Sequence, residues 1–200
     1  MEIGCFSDEN FDVIKSWGRF STYTGVDPEQ GGTIRATSDD FFANALRTGE
    51  DNKKFDVVFI DGLHEADQVF RDISNSLHFL SPNGTILLHD SNPRSRDSQN
   101  KTWTSQPVWV GDTWKAVVAM RLRPDVEVVL FDFDHGVAVV RKRENKHPLP
   151  REWVDFLSVS PISMLDYDRH YRSSAPLLHR YVTFEMATEW LDEEFRALNS

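Results

Sequence analysis

The sequence predicts an α/β fold, a Rossmann-like three-layer sandwich with a mostly parallel sheet. Short apolar runs alternate with segments of helical periodicity, which is typical of parallel strands joined by crossover helices. Two of the runs, 55–60 and 85–89, are almost continuously apolar, as expected for central strands that are covered on both faces. The last two runs, 126–131 and 137–140, are separated only by residues 132–136, so they must pair as an antiparallel hairpin.

The first elements follow directly from the N-terminal residues. A strand is predicted at Glu2-Ile3-Gly4, which follows Met1 without the basic and apolar regions of a secretory signal. Because the chain opens on a core strand, we expect an N-terminally truncated sheet domain. A second strand is predicted at 22–26, and a helix at 38–46 with Thr37 or Ser38 as its N-cap. The residues predicted to face inward on this helix are Phe41, Phe42, Ala45 and Leu46.

Further helices are predicted on both sides of the fourth strand. Apolar residues recur at three- and four-residue steps over 66–80, which indicates a helix of about four turns that Pro82-Asn83-Gly84 would stop. Another helix is predicted at 114–122, before Pro124.

The C-terminal part differs in composition from the rest. The chain becomes charged and proline-bearing at 143–150, which predicts a boundary between a sheet domain, 1–143, and an appendage, 144–200. An amphipathic helix is expected to end the appendage and to dock on the domain or on a second copy of the chain, as a homo-oligomer. Its apolar face comprises Phe184, Ala187, Leu191, Phe195 and Leu198.

Composition excludes several classes of protein. The chain has 32 acidic and 22 basic residues, and this net charge of -10 provides no broad basic surface for nucleic acid or anionic lipid. No stretch approaches the roughly 20 apolar residues of a membrane helix. The single cysteine, Cys5, cannot form an internal disulfide, which favours a reducing, cytoplasmic location.

Polar residues follow the first two predicted strands. In open parallel sheets, ligands bind beyond the carboxyl ends of the strands. The carboxylate of Asp27 is placed to accept both hydroxyls of a ribose, although an aspartate before a proline is also common in turns. Gly4 would allow a ligand to approach the backbone closely.

Acids and histidines follow the two central strands. Asp61 and His64 come after the first of them, and His89 and Asp90 come after the second. We expect these four side chains around one crevice, because adjacent parallel strands end at the same edge of the sheet. The alternative is that Asp61 caps the next helix and that the histidines are solvated. Burial of such groups is costly unless they are paired or bind a metal, so the sequence favours a chemical site.

The segment 91–112 has no periodicity. Long loops inside compact domains are usually lids, binding loops or disordered connectors. Its position after His89 and Asp90 favours a loop that covers a substrate, and a disordered connector is the alternative. Its aromatic and cationic residues include Arg94, Arg96, Lys101, Trp103 and Trp109.

At these residues the sequence resembles the class I S-adenosylmethionine-dependent methyltransferases, in a small bacterial-type group. The most specific motifs are FIDGLH at 59–64 and LLHDSNP at 87–93, with GDTWKA at 111–116. Weaker matches are EIG at 2–4, GVDP at 25–28 and TSDDFF at 37–42. Together they span residues 2 to about 140.

The resemblance implies a seven-stranded sheet with an antiparallel last strand. It also implies methyl transfer from S-adenosyl-L-methionine to an oxygen or nitrogen of a small-molecule or sugar-like acceptor. The residues that it assigns to the cofactor are Glu2 and Gly4 for the methionine part, Asp27 for the ribose, Ser38 and Asp39 beside the adenine, and Asp61 at the methionine or substrate end. The residues that it assigns to the acceptor site and catalysis are His64, His89 and Asp90, with His64 as the first choice of base and His89 as the second.

A divalent metal and two other functions remain open. Some relatives with an acid at each of these strand ends hold a metal, and Asp61, Asp90 and Asn92 offer hard oxygen ligands for Mg²⁺. The first loop carries no glycine after Gly4, which favours a degenerate module that binds a ligand or partner without turnover. A nicotinamide-dependent oxidoreductase would also use Asp27, but the glycine-rich fingerprint is absent.

Overall fold

The computed structural model describes residues 1–16, 18, 20–183 and 186 of the chain. The described strands are β1 (Glu2–Ile3), β2 (Gly25–Asp27), β3 (Ile34–Arg35), β4 (Phe55–Ile60), β5 (Leu80–Leu88), β6 (Glu127–Phe131), β7 (Val137–Arg141) and β8 (Tyr181–Val182). The described α-helices are α1 (Glu9–Ser16), α2 (Ser38–Thr48), α3 (Ala66–Phe79), α4 (Trp114–Met120), α5 (Arg151–Val159) and α6 (Arg172–Leu178).

The strands form one mixed sheet in the order β3-β2-β1-β4-β5-β7-β6-β8. Strands β1 to β5 are paired in parallel, and β7 is antiparallel to both of its neighbours. The predicted Rossmann-like architecture, the two central strands and the hairpin are therefore confirmed. The short strand β8 extends the sheet beyond the seven strands implied by the resemblance, and it pairs in parallel with β6.

Helix α2 begins and ends where its capping residues predict. The side chain of Thr37 accepts a hydrogen bond from the backbone N–H of Asp40, and Gly49 ends the helix in the left-handed conformation at φ 74°. Phe42 and Ala45 are buried, but Leu46 is 52% exposed, so its predicted inward orientation is wrong. Because α2 packs at the edge of the sheet, against α3 and β2, only a narrow stripe of it is covered.

The boundary between α3 and β5 lies earlier than predicted. The helix ends at Phe79 and the strand begins at Leu80, so Pro82-Asn83-Gly84 lies within β5 instead of stopping the helix. The pairing of β5 with β4 shifts register in this region, between Phe55 and Val57. A proline is tolerated in a strand at such an irregularity, because its missing N–H interrupts no regular ladder.

Two apolar clusters stabilise the fold around α4. The larger cluster joins the sheet to α3 and to the face of α4 that carries Ala116, Val117 and Met120. The other face of α4 packs against the chain that follows β7, through Trp114, Val118, Leu149, Leu157, Leu165, Tyr171 and Leu178. Residues from 149 to 182 therefore share a core with the sheet domain. The apolar face predicted for the C-terminal helix, at Phe184, Ala187, Leu191, Phe195 and Leu198, lies outside the described residues. None of the described helices is long and apolar enough to cross a membrane.

Candidate active site

A cleft of about 390 Å³ opens beyond the carboxyl ends of β1, β2 and β4. This volume lies in the range of small-molecule sites. Gly4 forms part of its wall at φ +82°, where a Cβ atom would lie 2.3 Å from the carbonyl oxygen of Asp61. Only glycine fits at this close approach of two strand ends. Of the predicted cofactor residues, Gly4, Asp27, Ser38 and Asp61 line the cleft.

Asp27 is held by backbone N–H groups from two loops. Its Oδ2 accepts hydrogen bonds from Cys5 at 3.0 Å and Phe6 at 3.2 Å. Its Oδ1 accepts from Glu29 at 2.8 Å and Gln30 at 2.9 Å. Burial raises the pKa of Asp27, but these four donors outweigh it and lower the pKa below its ordinary value. Asp27 is therefore a fixed anion that joins the loops after β1 and β2.

Beyond Gly4, two residues other than glycine in the loop after β1 adopt left-handed conformations. Phe6 and Asp8 have φ values of 43° and 60°. The side chain of Phe6 is 72% exposed, and the residue lines the cleft. Asp8 does not line it, and its Oδ1 accepts a hydrogen bond of 2.6 Å from the N–H of Gly32. The loop thus offers an apolar ring to the cleft and uses its carboxylate to hold the turn at 31–32.

Two of the residues that the resemblance assigns to the cofactor lie outside the lining of the cleft. Glu2 is buried, and its carboxylate accepts hydrogen bonds from the hydroxyl of Tyr23 and, at 2.9 Å, from the amide of Asn10. Asp39 is about half exposed and forms an ion pair with Arg71, with 3.2 Å between its Oδ2 and Nε. Neither Glu2 nor Asp39 therefore lines the cleft with the other predicted cofactor residues.

A buried carboxyl that the sequence analysis missed lies beside Ser38. The hydroxyl of Ser38 donates to Asp72 Oδ1 at 2.6 Å, and Gln68 Nε2 donates to the same oxygen at 3.0 Å. Asp72 is 1% exposed and lines the cleft with Ser38 and Gln68. Burial raises the pKa of Asp72 to about 6, against the effect of both hydrogen bonds. Its position within the apolar stripe of α3, next to Ile73, was the signal in the sequence.

The four acids and histidines predicted after β4 and β5 lie together. Asp61 Oδ1 is 3.3 Å from His64 Nε2 and 3.1 Å from His89 Nδ1. Asp90 places Oδ2 at 3.3 Å from His64 Nδ1 and Oδ1 at 3.6 Å from His89 Nδ1. Each imidazole therefore contacts both carboxylates, and we call these four residues the strand-end cluster.

The two carboxyl groups of the strand-end cluster have pKa values that are shifted in opposite directions. Burial raises the pKa of Asp61, but hydrogen bonds from His64 and His89 outweigh it and lower the pKa to about 2. Burial dominates at Asp90, and the pKa of that carboxyl is raised. The hydrogen bond to Asp61 raises the pKa of His89 to about 9, against the effect of burial. Since Asp134 Oδ2 lies 3.3 Å from His89 Nε2, a charged His89 has a carboxylate at each ring nitrogen.

Asn92 does not join the carboxylates of the strand-end cluster. Its Oδ1 accepts hydrogen bonds from the hydroxyls of Tyr171 and, at 3.2 Å, Tyr181, and its Nδ2 donates to Asp132 at 2.7 Å. The chain turns at Asp90 with φ 55°, and Asn92 lies beyond this left-handed residue, in a different network. Among the residues that the structure describes, Asp61, His64 and Asp90 form a group whose ligand atoms lie within 4.8 Å of one another.

The loop before α4 holds His64 from the other side. The ring of Trp109 stacks on His64 at 5.0 Å between centroids. Gly111 has φ +59°, and a Cβ there would lie 1.9 Å from the carbonyl oxygen of His64. The backbone N–H of Asp112 donates to that oxygen at 3.1 Å, while Asp112 Oδ1 accepts from the first N–H of α3, at Ala66, at 2.7 Å. The predicted covering loop therefore packs on His64 and caps α3.

The strand order, with the cleft and the strand-end cluster beyond the carboxyl ends of the strands, defines a Rossmann-like architecture. Residues 9–91 match the family model described as a methyltransferase domain. A comparison with curated proteins finds no match.

Two solved structures illustrate the similarity. The methyltransferase PaMTH1 of Podospora anserina, in a crystal structure bound to SAH, is 22% identical, with 72% of this chain and 70% of that chain covered and a TM-score of 0.49. MycE, a methyltransferase from the mycinamycin biosynthetic pathway in complex with Mg, SAH and mycinamycin VI, is 18% identical with a TM-score of 0.43. The match covers 78% of this chain and 49% of the MycE chain, so this chain spans about half the length of MycE.

Proposed function

We propose that this chain transfers a methyl group from S-adenosyl-L-methionine to an oxygen or nitrogen of a small-molecule or sugar-like acceptor. One observation carries the proposal. Asp61 lines the cleft and also contacts both His64 and His89, so it joins the space for a cofactor to the groups that move protons. S-adenosylmethionine supplies an electrophilic methyl group on a sulfonium sulfur, and the protein positions the two reactants and removes a proton.

His64 is assigned the role of base. A base must be neutral to accept a proton, and the raised pKa of His89 keeps that imidazole charged at neutral pH. In this role His64 donates one ring N–H to a flanking carboxylate, and the acceptor O–H or N–H replaces the second carboxylate at the other ring nitrogen, since both nitrogens face a carboxylate in the structure. His89, charged and bracketed by Asp61 and Asp134, fixes the position of the Asp61 carboxylate.

The cleft has the size and the backbone cradle that a nucleoside cofactor needs. Gly4 provides close approach to the first strand, and Phe6 provides an apolar face. The four hydrogen-bond positions of Asp27 are taken by backbone donors, so its ribose contacts require that hydroxyls replace the N–H groups of Glu29 and Gln30, which lie in an exposed turn. Ribose binding is thus proposed with a local rearrangement of that turn.

Two measurements test the proposal. Calorimetry with S-adenosylhomocysteine should show stoichiometric binding to the folded chain. Incubation with S-adenosylmethionine labelled at the methyl group, together with a panel of small alcohols, amines and sugars, should then transfer the label. Absence of binding to a folded chain would overturn the proposal, and binding without any transfer would favour a degenerate ligand-binding module.

A divalent cation at Asp61, His64 and Asp90 is a second candidate element of the reaction. The three donor groups lie within 4.8 Å of one another, and two of them are carboxylates suited to Mg²⁺. A bound cation would lower the pKa of an acceptor hydroxyl, and His64 would then act as a ligand instead of a base. Excess chelator should abolish turnover in that case, with recovery on adding Mg²⁺. Full activity in chelator would leave His64 as the base.

A further inference from the structure

We propose that the carboxyl of Asp72 determines which purine base the cleft accepts, by receiving a hydrogen bond from the exocyclic amine of adenine. The inference rests on the proposed use of an adenosyl cofactor and adds to it a residue that selects the base. It starts from the hydrogen-bonded pair formed by Ser38 and Asp72 in the lining of the cleft.

The hydrogen bonds around Asp72 leave one of its oxygens free. Oδ1 receives both donors, the hydroxyl of Ser38 at 2.6 Å and the amide of Gln68 at 3.0 Å. Oδ2 accepts no hydrogen bond from the residues that the structure describes. Asp72 is 1% exposed and lines the cleft, so a ligand that reaches Oδ2 meets a carboxyl oxygen with little access to water.

The hydrogen bonds among Ser38, Gln68 and Asp72 determine which of these groups donate and which accept. Gln68 Nε2 also donates to Ser38 Oγ at 3.2 Å, and its Oε1 accepts from Arg71, so all the amide hydrogens and one lone pair of Gln68 are used within the protein. Ser38 gives its proton to Asp72. The free position that this group offers to a ligand is therefore an acceptor whenever Asp72 is ionised.

An acceptor at this position discriminates between purines. The 6-amino group of adenine donates to it, whereas the 6-carbonyl of a deaminated base places two acceptor oxygens against each other. A site built to pair with a ligand N–H rejects an analogue without it, since the buried group is then left unpaired. We expect a preference of at least about tenfold for adenosyl over inosyl ligands.

The test compares S-adenosylhomocysteine with S-inosylhomocysteine by calorimetry at pH 8, where Asp72 is ionised. The variant is Asp72→Asn. Gln68 requires an acceptor at Oδ1, so the asparagine should keep its oxygen there and turn its N–H₂ toward the ligand. The variant should bind the inosyl compound at least as tightly as the adenosyl one, which reverses the preference of the unmodified chain.

A matched control is available at the opposite end of β4 from the cleft. Asp56 accepts a hydrogen bond of 2.8 Å from the hydroxyl of Ser81, which reproduces the serine–aspartate pair on an exposed surface away from the cleft. Asp56→Asn should retain the preference for the adenosyl ligand. If Asp72→Asn also retains it while both proteins bind and remain folded, Asp72 has a purely structural role and the inference is overturned. If the unmodified chain binds neither compound, the proposed function fails first.

The pH dependence of the preference provides a second readout that needs no variant. Two charged groups lie near Asp72: Asp39 raises the pKa of Asp72, and Arg71 lowers it. The uncharged side chains of Ser38 and Gln68 also lower it, through their hydrogen bonds. Below about pH 6 Asp72 becomes protonated and is able to donate to a 6-carbonyl. The ratio of the two affinities should therefore fall toward one between pH 8 and pH 5. A ratio that does not change over this interval would contradict the inference.

Discussion

Two carboxylates of the site, Asp27 and Asp61, both have a lowered pKa, and they differ in what holds them. Four backbone N–H groups surround Asp27, whereas two imidazoles contact Asp61. A backbone N–H cannot titrate, so the environment of Asp27 stays the same throughout the physiological pH range. The imidazole of His89 loses its proton as pH rises through its raised pKa, so the environment of Asp61 changes with pH.

This difference separates a structural anion from a chemical one. Asp27 stabilises the shape of the cleft, because both loops that border it would lose a common acceptor without it. Asp61 contacts the imidazoles of both His64 and His89, and the proposed function places the reacting group beside it. The comparison predicts that changes around Asp61 act on turnover and pH dependence, and that changes at Asp27 act on folding.

The largest expected effect is at the base. His64→Gln should lower turnover on the order of 10² to 10⁴, because the acceptor loses the group that takes its proton. The affinity for S-adenosylhomocysteine should stay nearly unchanged, since His64 is not part of the lining of the cleft. Initial rates of label transfer and calorimetry measure the two quantities.

His78→Gln is the matched control for that variant. His78 lies on the exposed surface at the end of α3, and its replacement should leave the rate unchanged. An ordinary rate with His64→Gln would transfer the role of base to His89 or show that the acceptor needs no base.

The second largest effect is at the structural anion. Asp27→Asn should reduce the free energy of unfolding by about 2–3 kcal/mol, because an amide offers one acceptor oxygen and points its N–H₂ at two backbone donors. Urea denaturation measures this loss, and S-adenosylhomocysteine should bind more weakly because both loops are displaced. Unchanged stability with weakened binding would instead assign Asp27 to the ligand alone.

The sequence was informative about the sheet and about side chains near strand ends. Continuous apolar runs identified β4 and β5, and the acids and histidines after them lie together as predicted, because register in a parallel sheet places successive strand ends at one edge. The short separation of the last two runs was sufficient to predict the β6–β7 hairpin.

The rest of the site depends on contacts that no local pattern encodes. Asn92 follows Asp90 by only two residues, but the chain turns at Asp90 in a left-handed conformation. Asn92 then accepts hydrogen bonds from Tyr171 and Tyr181, which are distant in sequence. Asp72 became a site residue only through the packing of α3 against α2, which brings it to Ser38. The two-residue strand β8 is too short for periodicity to detect.

The free energy of unfolding should also depend on pH, through the imidazole of His89 that contacts Asp61. The pKa of His89 is raised from its ordinary 6.5 to about 9, so the folded state binds the proton more tightly than the unfolded chain. The resulting stabilisation is fully present below pH 6.5 and is lost as pH rises through 9. The free energy of unfolding should therefore fall by about 2–3 kcal/mol over this interval, and His89→Gln should remove most of that fall.

Denaturant titrations at several pH values measure that slope. The acid side has the opposite sign, because the pKa of Asp61 is lowered to about 2 and its stabilisation is lost only as pH falls from about 4 toward 2. Asp27→Asn should not alter the slope between pH 6.5 and 9, since Asp27 has no titrating partner there. An equal slope in the His89→Gln variant would place the titrating group elsewhere.

The smallest effect tests whether the loop before α4 helps to position the base. Trp109 stacks on His64, and its Nε1 donates to the carbonyl oxygen of Asn100 at 2.7 Å, so the indole is fixed while it covers the imidazole. A double-mutant cycle with Trp109→Leu and His64→Gln should show a coupling of about 0.5–1 kcal/mol in the free energy of unfolding, as measured for aromatic pairs. Trp109→Leu alone should lower turnover a few fold without a change in cofactor affinity, because the imidazole gains rotational freedom. A coupling of zero, with normal turnover, would mean that the carboxylates and the backbone contacts at Gly111 and Asp112 are sufficient to hold His64.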